Sequence, residues 1–463
     1  MSNYNPYFLL WIPLICLLLG NTQCSNSGGS NSGNEAARVD SQQKISATSG
    51  GFNGSLEAGD RFGSAVVSIG DLEGDGVADL AVGAPDTDGG GTDRGAVWIL
   101  FMNSDGRVDT QQKIADGAGG FDGKLDNDDR FGSAVASPGD LNGDGFTDLA
   151  VGAPGDDDGG TDRGAVWNLF LNADGKVRSY QKISDSSGGF GGNLKDGDQF
   201  GSATAPIGDL DGDGVTDLAV GAPDTDAGGT DRGAVWILFM DRDGRVKSEQ
   251  KIADGAGGFT GNLKDGERFG NAVASIGDLD GDGVTDLAVG ADLSDIGGTD
   301  RGAVWILFLD RDGRVKSQQK IADGDGGFKG DLNDGDQFGS AVAGLGDLDG
   351  DGTIDLAVGA NHSDAGGTDR GAVWILSLDN DGKVKAQQKI ADGAGGFKGN
   401  LKDGDQFGSA VADIGNLDDK NLSDIAVGAP LDDDGGTDKG ALWILFLQQA
   451  NCISGPCQRW VDT

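Results

Sequence analysis

The sequence predicts an all-β fold built as a closed ring of repeated units, and three observations support this prediction. A sequence motif that begins with Phe62-Gly63 and ends with Gly83-Ala84-Pro85 in its first copy occurs six times. Each copy divides into four short strand-like segments between turn residues, with no sustained helical period of apolar residues. The chain also begins with a segment that its last copy lacks. The copies start at Phe62, Phe131, Phe200, Phe269, Phe338 and Phe407, each 69 residues after the one before.

The fixed interval and the two ends of the array predict how the ring closes. An array without insertions places every unit in a near-equivalent environment, which a ring satisfies better than an open stack with polar caps. The segment ARVDSQQKI (Ala37–Ile45) matches GRVDTQQKI (Gly106–Ile114), whereas the last copy stops after GALWILFL (Gly440–Leu447). Residues 37–450 make up six units of 69. We therefore predict a closed six-bladed β-propeller over residues 37–450, whose last blade is completed by the N-terminal strand, so that no sheet edge stays open.

Each repeat predicts four strands in a fixed order. In the first copy they are FGSAVVSIG, DLAVGAP, GAVWILF and, after the turn NSDG, RVDTQQKI. The third segment is apolar on both faces, as expected of a strand that lies between neighbouring blades. A tryptophan occupies one equivalent position in every third strand, where we expect it to pack between blades. These residues are Trp98, Trp167, Trp236, Trp305, Trp374 and Trp443.

Composition narrows the classes of partner. The 463 residues carry a formal net charge of −41, which argues against nucleic acid or an anionic membrane as partner. The 87 glycines recur at fixed places beside apolar strands, as in turn-rich β structure. This excess of acidic residues has two interpretations: it keeps the protein soluble, or it binds cations.

The first 36 residues predict export. Residues 8–20 are apolar but too short to span a bilayer as a helix, so residues 1–24 are interpreted as a signal peptide, although no Lys or Arg precedes the apolar run. Cys24 then precedes a Ser/Gly/Asn-rich linker over residues 25–36, the layout of a bacterial lipoprotein with an acylated cysteine. Residues 21–23 depart from the usual lipobox, so simple cleavage is the alternative. The predicted location is extracellular or at the cell surface.

The C-terminal tail, residues 451–463, contains two cysteines. Cys452 and Cys457 flank Gly455-Pro456 and predict a disulfide in an oxidising compartment; the alternative is two free thiols.

A nine-residue loop between the first and second strands carries carboxylates at positions 1, 3, 5 and 9. Alternating oxygens on a tight turn, with Gly at position 6 and a backbone carbonyl at position 7, suit a hard cation with six to eight oxygen ligands. Without a metal these carboxylates would repel one another, although solvated acidic turns are the simpler alternative. We predict about five Ca²⁺ ions. The predicted ligands are Asp71, Glu73, Asp75 and Asp79; Asp140, Asn142, Asp144 and Asp148; Asp209, Asp211, Asp213 and Asp217; Asp278, Asp280, Asp282 and Asp286; and Asp347, Asp349, Asp351 and Asp355.

Two features distinguish these loops from related patterns. Position 12 is Val, for example Val82, instead of the bidentate Glu of an EF-hand, and strands flank the loop. The sixth copy, NLDDKNLSD, has Asn416 at position 1 and Lys420 at position 5. We expect the Lys420 ammonium to repel Ca²⁺ and to neutralise Asp418 and Asp424. The sixth loop is therefore predicted to bind no metal.

The loop between the second and third strands also repeats. Its acidic residues predict either a Thr-Asp-Arg turn held by hydrogen bonds and ion pairs, or a ring of ligand or secondary metal pockets. The candidate ligand residues are Asp88, Asp157, Asp226, Asp295, Asp364 and Asp433. A second equivalent set, next to Arg94 and its counterparts, comprises Asp93, Asp162, Asp231, Asp300, Asp369 and Asp438.

The combination of Phe-Gly, DxDGDGxxD and Gly-Ala-Pro resembles the FG-GAP repeat of the N-terminal propeller of integrin α-subunits. The resemblance covers residues 37–450 and implies Ca²⁺ in hairpin loops on one face, with ligand recognition usually on the opposite face. Copies four and five replace the proline with Asp292 and Asn361. Six repeats also differ from the seven blades of integrins.

Few residues favour catalysis. His362 is the single histidine, so no serine or cysteine nucleophile has a second histidine to activate it. Paired carboxylates abound, but near-identical repeats argue against a catalytic site, which normally breaks symmetry. We therefore predict no enzyme, but a monomeric, calcium-stabilised, adhesion-like module that binds an extracellular protein or matrix ligand and meets a membrane only through a lipid anchor. The alternatives are a multivalent calcium-dependent lectin that binds glycans between blades and a structural spacer without a ligand.

Overall fold

The computed structural model describes residues 37–449 except positions 419 and 421, and these residues form 24 strands in six four-stranded antiparallel sheets. The predicted signal peptide, Cys24, the predicted linker, Cys452 and Cys457 lie outside the described residues. The strands are β1 Ala37–Ser46, β2 Ala65–Gly70, β3 Asp79–Ala84, β4 Ala96–Met102, β5 Val108–Ala115, β6 Ala134–Gly139, β7 Asp148–Ala153, β8 Ala165–Leu171, β9 Val177–Ser184, β10 Ala203–Pro206, β11 Leu218–Ala222, β12 Ala234–Met240, β13 Val246–Ala253, β14 Val273–Ser275, β15 Leu287–Ala291, β16 Ala303–Leu309, β17 Val315–Ala322, β18 Phe338–Gly344, β19 Asp355–Ala360, β20 Ala372–Leu378, β21 Val384–Ala391, β22 Ala410–Asp413, β23 Ile425–Ala429 and β24 Ala441–Gln449.

The sheets confirm the predicted all-β, six-bladed propeller. Five blades use four consecutive strands, beginning with β2–β5 and ending with β18–β21. The sixth has the order β1-β24-β23-β22, so the N-terminal strand pairs antiparallel with β24. A parallel bridge joins Phe62 to Gly440 at this junction, as Phe131 and Gly95 are joined at the next one. The last junction is therefore built like the others, and the ring is closed.

The two glycine motifs meet where neighbouring blades touch. Gly132 follows Phe131 with φ +97°, and a Cβ on Gly83 of the preceding blade would lie 1.9 Å from the Gly132 carbonyl oxygen. Gly428 and Gly63 repeat this approach at the closing junction. Because any side chain at Gly83 would clash with backbone, the Phe-Gly and Gly-Ala-Pro motifs are a requirement of blade packing.

The third strands form the core, and their tryptophans pack as predicted. All seven residues of β4 are buried. Trp98 makes an edge-to-face contact with Phe52 at a ring-centroid distance of 5.0 Å and shares an apolar cluster with Ile414 and Ile444 of blade six. The tryptophan therefore lies between blades, where its area and ring geometry both contribute to stability.

The strand directions define two faces of the ring. The acidic-loop face carries the six loops of residues 71–79, 140–148, 209–217, 278–286, 347–355 and 416–424, here loops one to six. The opposite face carries the connections from second to third and from fourth to first strands. Nowhere in the described range does a helix have the length and hydropathy needed to cross a bilayer.

Candidate metal-binding face

In loops one to five the carboxylate at position 1 organises the loop. In loop one the amides of Gly74 and Asp75 donate to Asp71 Oδ1, at 2.7 and 3.0 Å, and Gly76 N–H donates to Oδ2 at 2.8 Å. The hydrogen bond from Gly76 and those beside it hold the pKa of Asp71 below its usual value, because they stabilise the ionised form. The amides of positions 5 and 6 make the same bonds in loops two to five.

Position 9 is a buried aspartate that joins the loop to the third strand. In loop three Asp217 is fully buried, and its Oδ2 and Oδ1 accept from Leu210 N–H at 2.9 Å and Met240 N–H at 2.8 Å. Burial raises the pKa of Asp217 to about 6, and it raises the pKa of Asp148 and that of Asp355 to about 7. This residue therefore has a structural role that the sequence prediction of a metal ligand did not include.

The carboxylates of three loops converge closely enough for a cation. Ligand oxygens within 4.8 Å of one another come from Asp209, Asp211 and Asp217 in loop three, from Asp278, Asp280 and Asp282 in loop four, and from Asp347, Asp349 and Asp351 in loop five. All are hard oxygen donors, and each carboxylate oxygen has a second lone pair beyond its hydrogen bond. The arrangement therefore suits Ca²⁺, which tolerates irregular, carboxylate-rich coordination.

A basic side chain already stands beside the same carboxylates. Lys247 donates to Asp211 Oδ2 at 2.9 Å and also to Asp213. This contact holds the pKa of Asp213 below its usual value. The ammonium is a monovalent stand-in for a metal ion, which is further support that the loop attracts cations.

Loop six carries its own cation. Lys420 Nζ lies 2.9 Å from Asp418, as predicted, and 3.4 Å from Asp40 on β1. The expected neutralisation of Asp424 by Lys420 does not occur, because Asp424 is buried and accepts from Leu417 N–H at 2.9 Å and Leu447 N–H at 3.0 Å. Position 9 thus keeps its structural bonds in the loop that has lost the acidic residues at positions 1 and 5.

The repeated aspartates of the opposite face close their own turns. Asp88 Oδ1 accepts from Asp93 N–H at 3.0 Å, and Asp93 has φ 48°. The same bond recurs in all six copies. The Asp88 set therefore stabilises the turn by accepting a backbone hydrogen bond from the Asp93 set, and this role does not require a ligand.

Arginines next to these turns form ion pairs, as the first interpretation of these loops predicted, but their acidic partners lie in a neighbouring loop that the sequence did not indicate. Arg163 donates to Asp185 at 2.7 Å and to Asp196 at 2.8 Å. Both aspartates lie in the connection that follows the fourth strand of the same blade. The only sequence signal is that Arg recurs with both acids in blades two to five and with Asp116 and Asn127 in blade one, whereas Lys439 of blade six coincides with alanine at positions 47 and 58. His362 is a loop residue that contacts Gln406 at 3.1 Å and Asp369 at 3.3 Å.

The fold and loops define a six-bladed propeller with acidic hairpin loops on one face. A family model described as "FG-GAP repeat" matches residues 62–100, 131–169, 200–238, 269–307 and 338–376. These are the five repeats that carry the acidic loops one to five. The chain is an FG-GAP repeat protein with an integrin α-like propeller.

Curated relatives match parts of the chain. Integrin alpha-PS5 of Drosophila melanogaster is 36% identical over 177 residues, which are 37% of this chain and 16% of the relative. Integrin alpha-PS2 of the same organism is 32% identical over 259 residues, 51% of this chain and 16% of the relative. Phosphatidylinositol-glycan-specific phospholipase D of Bos taurus is 32% identical over 181 residues, 39% of this chain and 20% of the relative. The chain therefore matches a fifth or less of the length of these relatives.

Proposed function

We propose that this chain is an exported, calcium-stabilised binding module of the adhesion type, whose partner is a protein or matrix component. The observation that carries the proposal is the five-fold recurrence of an acidic hairpin loop on an integrin α-like propeller. Export rests on the N-terminal residues of the sequence, and the lipid anchor at Cys24 is a further hypothesis.

In this proposal calcium stabilises the folded chain. The side-chain oxygens at positions 1, 3 and 5 of loops one to five, such as those of Asp209, Asp211 and Asp213, would hold the ion together with position 9. A bound Ca²⁺ supplies positive charge that offsets the repulsion among them. Since it binds the folded chain and not the unfolded one, it raises the free energy of unfolding by mass action.

We place the partner on the opposite face, because symmetry breaks there. Just after the Gly-Ala-Pro position the six repeats carry chemically different residues: Asp86, Gly155, Asp224, Leu293, His362 and Leu431. Asp86 pairs with Arg61 at 2.9 Å, whereas Leu293 leaves a partly exposed apolar side chain. A single asymmetric partner can recognise such local differences, and an apolar side chain such as that of Leu293 suits the core of an interface, which is depleted of charged residues.

Binding assays with the full chain test this proposal. Purified extracellular-matrix proteins and a glycan array would both be probed in calcium and in chelator. We expect saturable binding to a protein that is weakened in chelator and by Leu293→Asp. The matched charge change Ser104→Asp, in an exposed turn of the acidic-loop face, should leave binding unchanged. Binding to glycans alone would favour the lectin, and no binding in either assay would favour a structural spacer.

A further inference from the structure

One residue of each fourth strand is left out of the antiparallel ladder. In blade one Val108 pairs with Met102 and Thr110 with Phe101, so Asp109 between them has no partner. This is a β-bulge, which leaves the extra residue unpaired and can re-aim its side chain. The same register shift occurs in all six blades. The bulge residues are Asp40, Asp109, Arg178, Lys247, Lys316 and Lys385.

In four blades the bulge residue is a cation that contacts the acidic loop of its own blade. Arg178 lies 2.7 Å from Asp144, at position 5 of loop two. Lys247 and Lys316 each contact the carboxylates at positions 3 and 5 of loops three and four. Lys385 contacts Asp351, at position 5 of loop five. The bulge thus delivers a positive charge to the place where a metal ion would bind.

Blade six contains the same ion pair with its charges exchanged. Here the bulge residue is Asp40 and position 5 is Lys420, and the two lie 3.4 Å apart. Because Asp40 belongs to β1 and Lys420 to the far end of the chain, the exchange also matches the closure of the ring. The bulge position and position 5 therefore act as one electrostatic pair in blades two to six.

Blade one is the exception. Its bulge residue is Asp109, and the ionisable groups facing Glu73 of loop one are the carboxylates of Asp75, Asp109 and Asp71. Within the part of the chain that the structure describes, no Lys or Arg forms an ion pair with loop one. Lys176 of blade two lines a shallow cavity beside Glu73. That position, however, is basic in every blade (Arg38, Arg107, Lys176, Arg245, Arg314 and Lys383), so it does not distinguish loop one.

We propose that the bulge residue sets the calcium affinity of each loop, so that loop one is the tight site of the ring and loops two to five are weaker. The inference rests on the proposed calcium binding. Blade one presents five carboxylates and no cation. Blades three to five present four carboxylates and one cation, and blade two presents three carboxylates and one cation. An incoming Ca²⁺ must displace or tolerate the built-in cation in four loops. In loop one, whose ligand oxygens do not converge as those of loops three to five do, it meets only negative charge and has to draw the carboxylates together.

The test is calcium titration of the full chain by isothermal calorimetry. We expect one tight binding event followed by weaker ones. Asp109→Lys, which installs the residue found in blades three to five, should weaken the tight event on the order of tenfold to a hundredfold. Lys247→Asp should convert one weak event into a second tight one. Glu57→Lys makes the same charge change at an exposed position on the opposite face and should leave the tight event in place.

The outcomes separate the inference from the function on which it rests. A tight event that survives Asp109→Lys, or that Glu57→Lys weakens equally, overturns the inference while calcium binding stands. A wild-type chain that binds no calcium overturns both. Melting in chelator checks folding: Asp109→Lys should melt no lower than wild type, since it relieves repulsion among carboxylates. If it does melt lower, Asp109→Asn replaces it, with a smaller loss of affinity expected.

Discussion

Loops three and six form the same backbone hydrogen bonds at position 9, but they carry different charges. In loop three the position-1 aspartate accepts three backbone amides and Lys247 faces Asp211 and Asp213. Loop six replaces position 1 with Asn416 and position 5 with a lysine. Both keep the buried position-9 aspartate with the same two backbone hydrogen bonds. Position 9 therefore serves the fold, whereas positions 1 and 5 differ between a loop predicted to bind a metal ion and one predicted to bind none.

The comparison of loops three and six assumes that blade six is built like the other blades, with β1 as its fourth strand. Deleting residues 1–36 should leave a monomeric ring with an unchanged melting temperature. Deleting residues 1–46 also removes β1 and exposes the edge of β24, so we expect a lower melting temperature and self-association, measured by light scattering. If both truncations melt alike and stay monomeric, β1 does not close the ring.

The role of position 9 predicts the next largest effect. Asp424→Ala in loop six should lower the free energy of unfolding by about 2–5 kcal/mol, because two buried amides lose their acceptors. Asp418→Ala, in the same loop, should cost less than about 1 kcal/mol. Chemical unfolding in chelator measures both. Equal losses would show that position 9 has no special structural role.

Buried position-9 carboxylates also predict a pH dependence shared by all six loops. Burial raises the pKa of Asp79, Asp217 and Asp424 to about 6 and that of Asp148 to about 7, above the value of about 4 in unfolded chains. Between about pH 4 and pH 7 the folded state therefore binds more protons, and the free energy of unfolding falls as the pH rises. In chelator the chain should melt higher at about pH 5 than at about pH 7.5. The opposite order would contradict the burial argument.

Rebuilding loop six should give the smallest effect on stability. In chelator Lys420→Asp should lower the free energy of unfolding by less than about 1 kcal/mol, because the exposed ion pair with Asp40 becomes a like-charge pair. Adding Asp40→Lys restores the arrangement of blade three and should recover that loss. If the double variant is no more stable than Lys420→Asp alone, the two positions are not an electrostatic pair.

Much of the fold was predictable because its determinants are local and repeated. The Phe62-Gly63 and Gly83 motifs fix the contact between blades, and the copy of the fourth strand at Ala37–Ile45 indicated how the ring closes. The pairing of Lys420 with Asp40 was not predictable without the register, since the two residues are nearly the whole chain apart. An aspartate at position 9 suits both a metal ligand and an acceptor of buried amides, so residue type alone could not separate the two roles.

We predict that loops one to five bind calcium and that loop six binds none. Flow dialysis of the full chain at saturating calcium tests it most directly, because it counts bound ions. We predict close to five ions per chain, one fewer for Asp213→Ala and an unchanged number for Asp418→Ala. A count near zero, or one that falls equally in both variants, would contradict the account.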